Sequence, residues 1–320
     1  MLHPEAVVYT RTDTASLVSM LLPGVHVETL QASAHAGHPR YVIVQHTSWS
    51  TVLRNLLYPD FYVNFPERRL VTSFGYPRPG AMHRVRMWLT DMTLATPTNR
   101  DRETPDYYAL KIWAPLAARW HISNTDLMRG LYMGYRTLRA RLEQQAALLE
   151  QSGPPLAVPE VAIFPAGRGF QYVPPDFVRQ LVREAGLSDA RYACWFGPKD
   201  PTIGDYERAG LRCLVSDSPE SALRVVQRAA ASLTSDSFVS HLAQLAARRH
   251  IALMSHDLPT HTMHPAAPSD VIFEPQDCCP CFYTIRDPGA VCRAGHTQCG
   301  VFTMERYLGR AAAALARALR

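Results

Sequence analysis

The second half of the chain alternates continuous apolar runs with amphipathic segments, and this rhythm restricts the folds open to it. Val161–Phe164 is such a run, which is typical of a strand buried on both faces. A helix is predicted to open at 174–176 and to end at Gly186, since Pro favours the first helical turn and Gly favours the C-cap. Further strands are predicted at 191–196, 211–215 and 250–254, and Ser218-Pro219 is predicted to cap a helix that continues through Val226. The alternation predicts an α/β fold with parallel strands and right-handed crossovers.

The first half repeats this rhythm more weakly. Strands are predicted at 6–10 and 41–44, and a long helix at 125–150. The segment 151–155, Gln-Ser-Gly-Pro-Pro, has the composition of a linker, so domains are predicted at 1–150 and 156–320. The chain has 320 residues, 47% of them hydrophobic, which is enough for two domains that each bury a core.

Composition and charge exclude several classes of protein. No apolar run has the length of a membrane span, and the N-terminus lacks the features of a signal peptide, so a cytoplasmic location is expected. The net charge of +5 is too diffuse to indicate nucleic-acid binding, although it suits a ligand that carries phosphates. The arginines of the predicted C-terminal helix allow at most a peripheral contact with a membrane.

Two turns are candidates for binding phosphate. Asp236 and Ser237 follow a predicted strand and open a helix, where free backbone N–H groups and the helix dipole favour an anion. The alternative is that one of them is simply a helix N-cap. His241 would lie one turn further along that helix. The second turn, 166–169, combines two glycines with Arg168, which could pair with a diphosphate, or it could be a purely structural turn.

Five of the seven cysteines lie within 278–299, which favours metal ligation over scattered disulfides. The spacing predicts a closed tetrahedral site for structural zinc or iron. Its predicted ligands are Cys278, Cys281, Cys292 and Cys299. Cys279 is a substitute ligand and His296 a weaker one, and the alternative is a group of reduced structural thiols.

Taken together, these segments resemble the family-9 glycosyltransferases, the ADP-heptose transferases. The family's Asp-Thr-Gly-x-x-His-Leu-Ala motif is similar to 236–243, Asp-Ser-Phe-Val-Ser-His-Leu-Ala, and its Cys-x-Pro-Cys cluster is similar to the segment around 279–281. A His-x-Val-x-Arg helix is similar to 83–86 and its flanks. The resemblance is strong at 160–300 and faint at 1–60.

The resemblance implies a GT-B architecture, with two Rossmann-like domains facing each other across a cleft. It implies an inverting transfer of a sugar, with ADP-heptose the first candidate, from a nucleotide-diphosphate donor to an acceptor hydroxyl on a glycan, a protein or a small natural product. It also implies that catalysis needs no metal. The residues implied on the donor side are Arg168, Gln171, Asp217, Asp236, Ser237, Phe238 and His241.

Three departures from the family pattern qualify these expectations. Ala15-Ser16 stands where the family has the Gly-Asp pair that carries its base, so Asp13 is the nearest candidate base. Phe238 replaces the motif glycine, and Gln171 replaces a lysine that contacts phosphate. The alternative function is therefore a catalytically impaired member that binds a nucleotide or a partner protein.

Overall fold

The computed structural model describes residues 7–10, 19, 26–29, 42–44, 70–72, 93–94, 122–152, 158–167, 172–255, 257–279 and 299–320. The chain divides into two compact units, Met1–Arg136 and Thr137–Arg320. None of the helices in these described ranges has both the length and the apolar character needed to cross a membrane.

Described strands of the first unit form two parallel sheets. One pairs β1 (Val7–Thr10) with β2 (His26–Thr29), and the other has the order β3 (Val42–Val44), β4 (Leu70–Thr72), β5 (Thr93–Leu94). The strands predicted at 6–10 and 41–44 are confirmed. Helix α1 (Asn124–Ser152) confirms the predicted long helix and extends two residues into the predicted linker. Residues 153–155 lie outside the described ranges, and the domain boundary stays a prediction.

The second unit is built on six parallel strands. They are β6 (Val161–Phe164), β7 (Tyr192–Phe196), β8 (Cys213–Val215), β9 (Ala231–Ser235), β10 (His250–Met254) and β11 (Ser269–Phe273). The helices are α2 (Pro175–Glu184), α3 (Ile203–Arg208), α4 (Pro219–Arg228), α5 (Phe238–Ala246), α6 (Pro259–Thr262) and α7 (Glu305–Ala318), with a 3₁₀ turn at Gly300–Thr303.

The strand order in this sheet is β11-β10-β9-β6-β7-β8. Numbered from β6, this is the doubly wound order 3-2-1-4-5-6 of a Rossmann fold. The α/β class and the parallel sheet predicted from the sequence are confirmed. Helix α2 ends as predicted, with Gly186 at φ 68° and its N–H bonded to the carbonyl of Arg183 at 3.0 Å. That conformation is available to glycine at little cost.

Helix α7 fixes one edge of this sheet. Tyr307 is fully buried, and its hydroxyl lies 3.1 Å from the carbonyl of Met254 and 3.2 Å from that of Ile272. On the surface, Arg306 pairs with Glu274 at 2.7 Å. These contacts hold α7 against the edge strand β11 and its neighbour β10.

Replacing Tyr307 by Phe is expected to lower the free energy of unfolding by about 1–3 kcal/mol. The ring volume is kept, but two buried carbonyls at the sheet lose their shared donor. Chemical denaturation measures the change. Tyr192→Phe is the matched control, because the Tyr192 hydroxyl bonds at 3.3 Å to the exposed Asp189, which water can solvate. Equal losses in the two variants would contradict the assigned role of Tyr307.

A row of hydrogen-bonded, buried polar side chains connects three strands on the face of the sheet opposite α7. The His250 ring lies 2.9 Å from the Thr234 hydroxyl through Nε2 and 2.8 Å from the Ser269 hydroxyl through Nδ1. Burial lowers the pKa of His250 to about 3, and the neighbouring positive charges of His241 and Arg139 act in the same direction. The imidazole is therefore neutral in the folded protein at neutral pH.

The folded-state pKa of His250 lies below its unfolded value of about 6.5, so the unfolded chain binds the extra proton. The stabilisation is complete above pH 6.5 and is lost as the pH falls towards 3. We expect the difference in unfolding free energy between wild type and His250→Gln to shrink by up to about 1.4 kcal/mol per pH unit below pH 6. Urea unfolding between pH 7 and pH 4.5 measures it, and a difference that does not vary with pH would contradict the assignment.

Candidate functional site

The strand order creates a switch point between β6 and β9. The chain leaves β6 towards β7 on one side and leaves β9 towards β10 on the other, so the two connections diverge above this pair of strands. In open α/β sheets, ligands bind in the crevice at the carboxyl ends of the strands at such a point. The residues there are Pro165–Gly167 after β6 and Asp236–Phe238 after β9, and we call this place the switch-point crevice.

A side-chain hydrogen bond joins the two sides of the switch-point crevice. Ser235, which is 1% exposed, donates from Oγ to the carbonyl of Ala166 at 2.9 Å. Pro165 accepts a second bond from the N–H of Val173 at 3.0 Å. The two turns that the sequence identified independently are therefore adjacent. Sequence analysis missed Ser235 as the residue that joins them, and a hydroxyl at the last position of a buried strand was the available signal.

The first turn of α5 presents backbone donors at the switch-point crevice. Ser237 occupies the N-cap position with an extended backbone (φ −147°, ψ 179°), but its side chain does not cap the helix. The Ser237 hydroxyl instead donates to the carbonyl of Ser235 at 3.4 Å. The first N–H groups of a helix have no partner within it, so those of Phe238 and Val239 are available to an anion. Ser237 is therefore an N-cap by position only, and the phosphate-binding interpretation is retained.

The side chains of the motif have distinct environments. Asp236 is 4% exposed and is engaged within the protein, so it does not present an open negative charge to an anion. His241 is exposed on α5, one turn after Ser237, as predicted. Phe238 is 48% exposed. Ser240 is 1% exposed, and its Oγ makes no hydrogen bond within the described structure.

The opposite end of α5 is held by α1. Arg139 donates from Nη1 to the carbonyl of Gln244 at 3.2 Å and from Nη2 to that of Ala247 at 2.9 Å. Carbonyls in the last turn of a helix lack partners within it, and the helix dipole favours a cation there. Arg139 thus fixes the C-terminus of α5. The N-terminus of α5 follows directly after β9, so both ends of the helix are held in place.

Asp217 lies further along the same edge of the sheet. It is exposed between β8 and α4, next to Ser218, whose hydroxyl accepts from the N–H of Ser221 at 3.1 Å and caps α4 as the sequence suggests. Two strand spacings separate β8 from β6, which is roughly 10 Å. A ligand that reaches both Asp217 and the switch-point crevice must therefore be longer than a diphosphate alone.

Several predicted site residues lie outside the described ranges. They are Asp13, Arg168, Gln171, Cys281 and Cys292. Their roles stay predictions, and the described part of the switch-point crevice contains Asp236, Ser237 and Phe238 from the predicted set.

The described cysteines do not support the predicted four-thiolate metal site. Among the described residues, no group of three or more His, Cys, Asp or Glu side chains is arranged to hold a metal. Cys299 is buried and donates from Sγ to the carbonyl of Ser255 at 3.2 Å. A ligating thiolate has no proton to donate. The described contact fits Cys299 as a core thiol, the alternative that its spacing left open. Cys281 and Cys292 lie outside the described ranges, so the four-thiolate set itself stays a prediction.

Two substitutions separate these roles of Cys299. We expect Cys299→Ser to keep the bond to Ser255 and to leave the zinc and iron content per chain unchanged. Cys299→Ala should lower the unfolding free energy by about 1 kcal/mol more than Cys299→Ser, because the Ser255 carbonyl loses its donor. Elemental analysis and denaturation measure the two effects. Loss of bound metal in Cys299→Ser would support the ligand hypothesis instead.

Comparison with known proteins gives matches among solved structures alone. No protein-family model matches the chain, and no curated protein matches it. The structure of E. coli ADP-heptose lps heptosyltransferase II is 15% identical, with 83% of this chain and 80% of that chain covered and a TM-score of 0.48. E. coli heptosyltransferase WaaC with ADP is 12% identical, covers 83% and 92%, and has a TM-score of 0.45.

A glycosyl transferase family 9 structure from Veillonella parvula DSM 2008 is 11% identical, covers 87% of this chain and 90% of that chain, and has a TM-score of 0.45. These structures come from the family that the sequence resembles. At such identities and TM-scores the likeness carries no argument about activity. The described second unit by itself is a doubly wound α/β domain, and the uncapped first turn of α5 lies at its switch point.

Proposed function

We propose that the chain is a glycosyltransferase that takes its sugar from a nucleotide-diphosphate donor, with ADP-heptose as the first candidate. The observation that carries this proposal is the meeting of two predicted phosphate-binding turns at the switch point, joined by Ser235 and Ala166. A Rossmann-type sheet with an uncapped helix at this place supports the binding of a diphosphate.

The donor's diphosphate would lie on the N–H groups of the first turn of α5. The helix dipole favours a nearby anion by about 0.3–1 kcal/mol, which is too little for binding by itself. Further contributions are proposed from hydrogen bonds of Ser237 and from the guanidinium of Arg168, with Gln171 and His241 nearby. The nucleoside would extend along the carboxyl edge of the sheet towards Asp217, over the roughly 10 Å that separates β6 from β8.

In the proposed reaction the acceptor oxygen attacks the anomeric carbon of the sugar. The bond from that carbon to the diphosphate oxygen breaks, and its electron pair leaves with the nucleoside diphosphate. Asp13 takes the proton of the acceptor hydroxyl, and the configuration at the anomeric carbon inverts. The donors at α5 stabilise the negative charge that develops on the leaving group. The acceptor would bind the N-terminal domain, and the protein would act in the cytoplasm without a catalytic metal.

A proline substitution at Phe238 tests the proposed contact between the diphosphate and the backbone of α5. Pro is well tolerated at the first helical position, and Ser237 already has the extended backbone that a following Pro requires. Phe238→Pro therefore removes one N–H with little cost to the fold. Phe238→Ala is the matched control, because it removes the ring and keeps the N–H. We expect the Pro variant to bind ADP roughly 5–20-fold more weakly than the Ala variant, as for a charge-assisted hydrogen bond. Calorimetric titration measures both affinities.

Equal ADP affinities in the Pro and Ala variants would contradict the placement of the diphosphate on α5. Turnover is measured separately, as release of ADP from ADP-heptose with and without candidate acceptors. Binding without any release of ADP would favour the alternative, a catalytically impaired nucleotide-binding protein, over the transferase.

A further inference from the structure

The side chain of Phe238 is exposed at the mouth of the switch-point crevice, and neither the fold nor the diphosphate contact uses it. It is 48% exposed, whereas the large hydrophobic side chains of the second unit are otherwise mostly packed into the core. In the described part of that unit, Val215 is the other large hydrophobic residue with comparable exposure, at 44%. Phe238 therefore makes little contribution to the stability of the domain.

The position of Phe238 determines where its ring can go. It is the first residue of α5, and every Cα–Cβ bond of a helix tilts towards the helix N-terminus. No earlier turn of α5 covers a side chain at that position. The ring is therefore directed towards the N-terminal end of α5, the end whose N–H groups are proposed to hold the diphosphate.

The chemistry of the ring restricts what can cover it. The face of an aromatic ring carries partial negative charge, so it does not attract a phosphate oxygen. It favours the C–H face of a sugar or the flat face of a nucleobase, and covering the Phe side chain removes apolar surface from water, which favours binding. The contact must then come from an uncharged ring that is attached to the diphosphate.

We infer that Phe238 is a specificity-determining residue that stacks on a ring of the donor next to its diphosphate. This inference rests on the proposed function. The ring in contact is either the transferred sugar or a ring of the nucleoside, and both present an uncharged face that Phe238 can cover.

Affinities for three ligands test the inference, measured by calorimetry on wild type, Phe238→Ala and Phe238→Tyr. The ligands are pyrophosphate, which has no ring, ADP, and ADP-heptose; UDP and GDP are included for wild type. We expect Phe238→Ala to weaken binding of a ring-bearing ligand about 5–20-fold and to change pyrophosphate binding less than twofold. Phe238→Tyr, which keeps the aromatic face, should restore the affinity.

Each outcome has a separate meaning. A loss for ADP-heptose alone supports stacking on the sugar, and an equal loss for ADP supports stacking on the nucleoside. Unchanged binding of every ring-bearing ligand in Phe238→Ala, or an equal loss for pyrophosphate, overturns the inference and leaves the proposed function standing. If wild type binds none of the nucleotides, both are overturned. Thermal unfolding serves as the control for folding, because truncation of an exposed side chain should leave the unfolding temperature nearly unchanged.

Discussion

The pairing of β6 with β9 is the contact on which the site depends. The register sets Val161 against Ala231 and Phe164 against Thr234, so the two strands end at nearly the same level. The loops that follow these two parallel strands then lie side by side, although the strands are distant in sequence. The hydrogen bond from Ser235 to Ala166 becomes possible only because of this register. The same pairing points the first turn of α5 at the switch-point crevice.

The rest of the second unit stabilises this arrangement from outside the site. Arg139 binds the carbonyls at the end of α5, and the buried hydroxyl of Tyr307 lies against the carbonyls of two neighbouring strands. The chain of hydroxyls around His250 links β9, β10 and β11. These contacts give buried polar groups hydrogen-bond partners, without which their burial would cost free energy. They fix the sheet, so that the backbone donors of α5 are positioned before a ligand arrives.

Much of the fold could be predicted from the sequence, because its signals are local. Continuous apolar runs gave the central strands, Ser218 with Pro219 gave the start of α4, and Gly186 gave the end of α2. The strand order could not be read in this way, because it depends on contacts between segments tens of residues apart. Strand β11 was not predicted, since it begins with Ser269 and Asp270 and follows a segment rich in proline.

The site was predictable in part for the same reason. The turn at Asp236 and Ser237 has a recognisable composition, whereas the bond that Ser235 makes to Ala166 spans 69 residues. The cysteines show the opposite case. Their spacing matches a metal site, but a small buried thiol also fits a protein core, and Cys299 donates a hydrogen bond to Ser255. Spacing alone does not separate these two uses of cysteine.

A crystal structure of the protein with a bound nucleoside diphosphate is the most direct test of the central claim. The account predicts that diphosphate oxygens lie within about 2.7–3.2 Å of the backbone nitrogen of Phe238 or Val239, between Pro165–Gly167 and Asp236–Ser237. A diphosphate bound at another pair of strand ends, with the first turn of α5 left to solvent, would contradict it.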